Sequence, residues 1–236
     1  MEAWWAALGL TALEGEALGL SLWVSFWAML GSLPPAVAVA WLLARRRFPG
    51  KTLVDGLVHL PLVLPPVVTG YLLLVVLGRR GVVGAWLHDH LGVTLAFTWK
   101  GAAVASAVLA FPLLVRAIRL SLEAVDQGLE QAARTLGAGR LRVFLTITLP
   151  LTLPGVLSGM VVAFARGLGE FGATITFVSN IPGQTRTLPL ALYSVLQVPG
   201  GEDAAMRLCV ISMVLALAAL LASELLSRRL AARMRG

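Results

Sequence analysis

Long uncharged apolar runs dominate this chain. Residues 17–44 carry no charged side chain between Glu16 and Arg45, and residues 56–78 none between Asp55 and Arg79. A helix needs about 20 mostly apolar residues to cross the ~30 Å hydrocarbon core of a bilayer. Lipid offers no partner for backbone polar groups, so such runs must be helical. Three more runs qualify: 101–115 between Lys100 and Arg116, 143–165 between Arg142 and Arg166, and 208–223 after Arg207. The run 101–115 is short, but flanking Lys and Arg stems lengthen it by snorkelling. The chain is therefore expected to be an all-α integral membrane protein with about five transmembrane helices. Composition agrees: 58% of the 236 residues are hydrophobic and 13% charged, against roughly 45–50% and 25% in soluble domains. A soluble enzyme, a disordered tail and a secreted disulfide scaffold are excluded. The single cysteine, Cys209, allows neither an intrachain disulfide nor a cysteine-based metal site.

The remaining apolar stretches do not read as spans. Gly172, Asn180, Pro182, Gly183, Pro189, Pro199, Gly200 and Gly201 interrupt 171–185 and 187–201, exposing backbone that lipid cannot satisfy. Residues 179–206 are expected to form an external connector with a short helix near 188–197. The stretch 3–13, with Trp4 and Trp5, is too short to span and suits the headgroup level. Glu2 replaces the basic start of a signal peptide. The expected organisation is an interfacial segment at 1–16, a transmembrane domain at 17–227 and a basic tail at 228–236. Within span two, Pro61, Pro65 and Pro66 each remove a helix hydrogen bond, which predicts a late start or a kink at Pro65–Pro66. A moving gate and an ordinary proline-bearing membrane helix both fit that pattern.

Net charge is +7. Alternating loops place thirteen of the nineteen basic residues on one side, at 45–51, 116–142 and 228–235, and five on the other; Arg166 lies inside a span. By the positive-inside rule the rich side faces the cytoplasm, with the N-terminus outside and the C-terminus inside. The charge then reports topology, and nucleic-acid binding is not expected. His59, His88 and His90 are not spaced as a metal site, and no G-x-x-x-x-G-K-[ST] pattern occurs, so the chain is not itself an ATPase.

The longest loop on the basic side, roughly 119–150, reads RLSLEAVDQGLEQAARTLGAGRLRVFLTITLP. Leu122, Val125, Leu129, Ala133 and Leu136 recur at steps of three and four, predicting one apolar helix face. Gly137 and Gly139 then stop the helix, and a second amphipathic stretch at 140–148 leads to Pro150 and Pro154. The residues thus specify a helix–turn–helix with small residues, Ala132 and Ala133, open to an approaching protein. A hairpin lying unpartnered on the surface is the alternative.

Within this loop, QAARTLGAGRLRVFLTITLP resembles the coupling motif of bacterial ABC-importer permeases: EAA, three residues, Gly, nine residues, Ile-x-Leu-Pro. Gln131, Ala132 and Ala133 match EAA, Gly137 the glycine, and Ile147, Leu149 and Pro150 the close. Gln131 departs from the usual Glu, and Glu130 stands beside it. The segments FPGKTLVDGLVHLPLVLPPVVTGYLLL, LEQAARTLGAGRLRVF and FARGLGEFGATITFVSNIPGQTRTLPLALY extend the resemblance to the permeases of molybdate importers, with tungstate and sulfate importers as neighbours. The resemblance implies a type I ABC importer permease fold with a coupling loop at 121–150. It also implies a homodimer in membrane lipid, cytoplasmic ATPase subunits, an extracytoplasmic oxyanion-binding protein, and neither a resident cofactor nor a catalytic residue. A secondary transporter is the main rival, but it would carry several intramembrane carboxylates and internal repeats.

Arg166 and Glu170 stand four residues apart and can pair on one helix face. Counted from Pro154 at ~1.5 Å per residue, Arg166 lies ~18 Å along span four, so it must face protein or water. The pair either lines the anion's route or locks span four to a neighbour. Arg186 and Thr187 in the external connector are candidates for receiving the binding protein or guarding the mouth of the path; a plain loop fits equally.

Overall fold

The structure, a computed structural model, describes residues 9–235; Trp4 and Trp5 lie outside the described residues, as do the side chains of the basic tail. Helix α1 (Ala12–Arg45) starts at a reciprocal cap: Thr11 Oγ1 accepts from the Glu14 amide at 3.3 Å, and Glu14 Oε2 from the Thr11 amide at 2.8 Å. Two orphan donors of the first turn are thereby satisfied. The helix begins five residues before the uncharged run. One stripe of α1 is small and buried: Ala17, Ser21, Ser25, Ala28, Ser32, Ala36 and Ala40. Lipid supplies no hydrophobic drive between helices, so close contact through small residues carries the packing. Trp23, Phe26 and Trp27 point outward on the other side.

Span two is broken. Helix α2 (Lys51–Val63) and helix α3 (Pro66–Leu77) meet at 113°. Leu64 is extended, at φ −68° and ψ 140°, because the ring of Pro65 disfavours helical backbone in the residue before it. Pro66 then opens α3, where its missing N–H costs nothing. The kink expected at Pro65–Pro66 is thus an elbow. Arg119 ties α2 to the next span, reaching Asp55 at 3.0 Å and Glu123 at 2.8 Å. Helix α4 (Val82–Leu91) follows at the opposite end and closes on Gly92.

Helix α5 (Trp99–Ala124) is the most buried span, and it runs well past Arg116, where the uncharged run ends. The loop expected as one helix from Leu122 to Leu136 is divided. Leu122 and Val125 are buried at the foot of α5, Val125 is extended, and Asp126 caps helix α6 (Gln127–Thr135). After the turn, helix α7 (Arg140–Val143), a π segment (Phe144–Thr148) and helix α8 (Leu149–Leu168) run as one 29-residue helix. Pro150 has no N–H to donate, and its ring would crowd the carbonyl four residues back. The wider π turn just before it relieves that crowding, with the Leu149 N–H bonded to the Phe144 carbonyl. Gly155 and Gly159 let α8 cross α5: a Cβ on Gly159 would sit 2.9 Å from Ala117 Cβ, and one on Gly155 would collide with Ser121.

The chain then breaks at Gly169–Phe171 and continues through helix α9 (Gly172–Val178), a loop, helix α10 (Leu188–Leu196) and helix α11 (Glu202–Arg235). Three apolar clusters hold these pieces. Leu43, Leu114, Ile118, Leu122 and Val156 join α1, α5 and α8 toward the arginine-rich end. Val24, Leu109, Phe177 and Val178 join α1, α5 and α9 toward the other. Ala17, Leu188, Ala191 and Leu208 seat α10 between α1 and α11, so the short helix expected in the connector is packed rather than loose. Among the described residues four helices are long and apolar enough to cross a membrane, and the bent pair α2–α3 adds a fifth apolar segment, a broken span or a re-entrant loop. This is the expected all-α membrane architecture.

Candidate coupling site

The hairpin is held by one half-buried carboxylate. Glu130 Oε1 accepts from Arg45 Nη2 at 2.8 Å and from Thr148 Oγ1 at 2.8 Å. The two side chains of the ion pair are only 10% and 13% exposed, so the bond joins α6 to the last turn of α1 and to the π segment in a largely dry setting. Charge-assisted hydrogen bonds there exceed neutral ones in strength. Asp126 Oδ1 caps the helix by accepting from the Gly128 amide at 2.7 Å. At the far end Gly137 adopts φ +85°, and the Ala138 amide closes on the Ala133 carbonyl at 3.0 Å. A left-handed residue at this position terminates helices, and glycine takes it without a Cβ penalty.

At 100° per residue, Gln127, Glu130 and Arg134 share the face of α6 turned toward α1, with Gln131 at its edge. Leu129, Ala132 and Leu136 lie on the opposite face. Leu136 is 89% exposed and Leu129 50%, and Leu141 beyond the turn is 71%. Ala132 is open and Ala133 half-buried. The hairpin is therefore a braced apolar knuckle. Ile147 and Leu149 are half-buried and Pro150 exposed at the root of α8, into which the hairpin runs as one helix.

Deeper in the fold, Arg166 Nη1 donates to Glu170 Oε2 at 2.7 Å. The Glu170 side chain is 2% exposed and that of Arg166 32%. Glu170 Oε1 also accepts from the Ala173 amide at 2.9 Å, capping α9 across the chain break. Glu170 is thus a pin, while the rest of the Arg166 guanidinium is free to face outward. In the connector, Arg186 Nε donates to Asn180 Oδ1 at 3.0 Å. Arg186 borders a cavity of about 380 Å³ with Glu16, Leu20 and Pro182. Thr187, expected at the external face, is buried, and the Leu188 amide beside it donates to Ser21 Oγ at 2.7 Å.

Comparison with known proteins decides the family. The family of binding-protein-dependent transport system inner membrane components matches residues 36–236. The molybdenum transport system permease protein ModB of Escherichia coli strain K12 is 65% identical over 219 residues, 93% of this chain and 96% of that one. The chain belongs to this permease family. The sulfate transport system permease protein CysT of the same strain is 40% identical over 159 residues, 67% of this chain and 57% of that one. A bacterial ABC transporter involved in the import of the acidic polysaccharide alginate matches in fold, with TM-score 0.73, 20% identity, and coverage of 95% of this chain and 82% of that one.

In this permease two residues of the candidate coupling site escape a reading of the sequence. Arg45 reads there as a topology signal, and Thr148 as an unremarked member of an apolar stretch. Their contacts with Glu130 span 85 and 18 residues, and only a faint cue, a lone acid beside the motif's first position, hinted at a partner.

Proposed function

We propose that this permease moves molybdate inward as the membrane-spanning subunit of an ATP-driven importer. Membership of the permease family removes the ion-driven secondary transporter. The 65% identity to a molybdenum permease over nearly the whole chain, against 40% to a sulfate permease over a shorter stretch, supports molybdate as the cargo. Tungstate is close in size and charge and follows the same route.

The geometry supports a division of labour. Two copies of the chain form the path between them, with the arginine-rich end in the cytoplasm, the N-terminus outside and the C-terminus inside. A separate ATPase subunit receives the apolar knuckle Leu129, Ala132 and Leu136, and hydrolysis takes place there, not in this chain. An extracytoplasmic oxyanion-binding protein delivers the anion near Arg186. Nucleotide binding shifts the importer between inward- and outward-facing states only through its different affinity for the two. Glu130, bonded to both Arg45 and Thr148, makes the hairpin move with α1 and α8 as one body. Arg166 attracts the dianion in transit, and its partner Glu170 keeps that attraction weak enough for release.

The test is reconstitution of the chain with its ATPase and binding protein in liposomes, followed by uptake of labelled molybdate. ATP-dependent accumulation blocked by excess tungstate and spared by excess sulfate is the expected result. Equal competition by sulfate would refute the assignment of cargo.

A further inference from the structure

A cavity of about 890 Å³ lies between the last turns of α1 and the hairpin, and its lining changes character along its length. Val37, Ala38 and Trp41 of α1 face Phe144 of the π segment in an apolar stretch that begins at Pro34. Arg46, Arg134 and Arg140, all exposed, line the same cavity. The one acid of the lining, Glu130, is already paired with Arg45. Among the described residues Arg46, Arg134 and Arg140 form no ion pair, and Arg46 instead lies over the Trp41 ring at 5.3 Å. The Arg45 Nε–H in the same wall is buried without an acceptor. Pro34 and Arg45, the residue before Arg46, are eleven residues apart on α1, or ~16 Å, close to the ~15 Å half-thickness of a bilayer core.

We propose that this cavity binds an anionic phospholipid from the leaflet at the arginine-rich end. The lipid phosphate sits among Arg46, Arg134 and Arg140, and one acyl chain lies along α1 toward Pro34. Basic pockets between membrane helices select anionic headgroups by charge, while the apolar slot distinguishes a lipid from a free anion. Because α6 forms one wall and α1 the other, the bound lipid braces the hairpin beside the Glu130–Arg45 bond. This inference does not depend on the cargo or on the direction of transport.

The experiment is native mass spectrometry of the permease–ATPase complex released from nanodiscs of phosphatidylcholine doped with phosphatidylglycerol. One phosphatidylglycerol retained per permease chain, in preference to phosphatidylcholine, is expected. Arg46→Gln combined with Arg140→Gln lowers that retention by about 30-fold, taking each arginine as a separate surface attraction. Ala38→Trp fills the slot, leaves the arginines in place, and also abolishes retention. Melting in pure phosphatidylcholine nanodiscs is unchanged for the charge variant, which separates lost binding from lost folding. Equal retention of phosphatidylcholine, retention unaffected by either variant, or displacement by millimolar inorganic phosphate each overturns the proposal. So does absence of bound phosphatidylglycerol from the wild-type complex, since the ATPase would then fill the space.

Discussion

Glu130 and Glu170 carry out the same task at two depths, each pinning a helix end while engaging an arginine. Glu130→Ala leaves Arg45 buried without its counter-charge, and breaking such a pair costs on the order of 3–5 kcal/mol. The expected outcome is a lower melting temperature together with loss of ATP-driven uptake. Arg45→Ala combined with Glu130→Ala is expected to be less damaging than the sum of the single changes, because the residues couple directly. At the deeper site, Glu170→Gln strands Arg166 in the membrane at roughly 2.5–3.5 kcal/mol on insertion scales, so yield and thermal stability fall. Arg166→Gln alone strands the buried Glu170 and costs stability, so the two roles are separated in Arg166→Gln with Glu170→Gln. Attraction of the anion predicts that this double variant folds but takes up molybdate at least tenfold more slowly, about 1.4 kcal/mol in the barrier. If Arg166→Gln with Glu170→Gln restores both stability and uptake, the pair is only a lock.

Elements decide how movement is passed on. Gly137→Asp puts a side chain into a left-handed conformation, at about 1–2 kcal/mol, and adds charge beside an apolar knuckle. Insertion and expression should survive and uptake should be abolished; normal uptake in Gly137→Asp would show that the hairpin is not the coupler. Gly155→Leu tests the α5–α8 crossing, where Ser121 leaves no room for a side chain. Failure to fold or a large drop in melting temperature is expected. The elements visible in the sequence are those set by local chemistry. The uncharged runs located the spans, the prolines located the elbow at Pro65–Pro66, and the glycines located the end of α6. What escaped was set by distant contacts. Charge counting bounded the uncharged run at Arg116, whereas helix α5 continues to Ala124, with Arg119 paired to Asp55 and Glu123. The apolar period 122–136 ran through the break at Val125, since leucines in a protein core and leucines awaiting a partner are spaced alike. Thr187 read as a residue of a connector because nothing local reveals that it is buried where α10 docks on Ser21.

The whole molecule is a set of helices interrupted at two places, the elbow at Leu64–Pro65 and the break at Gly169–Phe171, with a braced hairpin at the arginine-rich end. Among the described side chains of α11 the exposed ones are mostly apolar, with Met213 at 71% and Leu220 at 66% exposed, as a lipid-facing helix requires. Small-residue packing along α1 and the glycine crossing of α8 hold the pieces close without a water-driven core. On the proposed function, a push at the knuckle becomes a change at the path only when an ATPase subunit supplies it. Initial-rate uptake of labelled molybdate, measured in proteoliposomes with and without the ATPase subunits, tests this directly. The account predicts uptake that requires both ATP and the ATPase. Undiminished uptake after omission of the ATPase would contradict it.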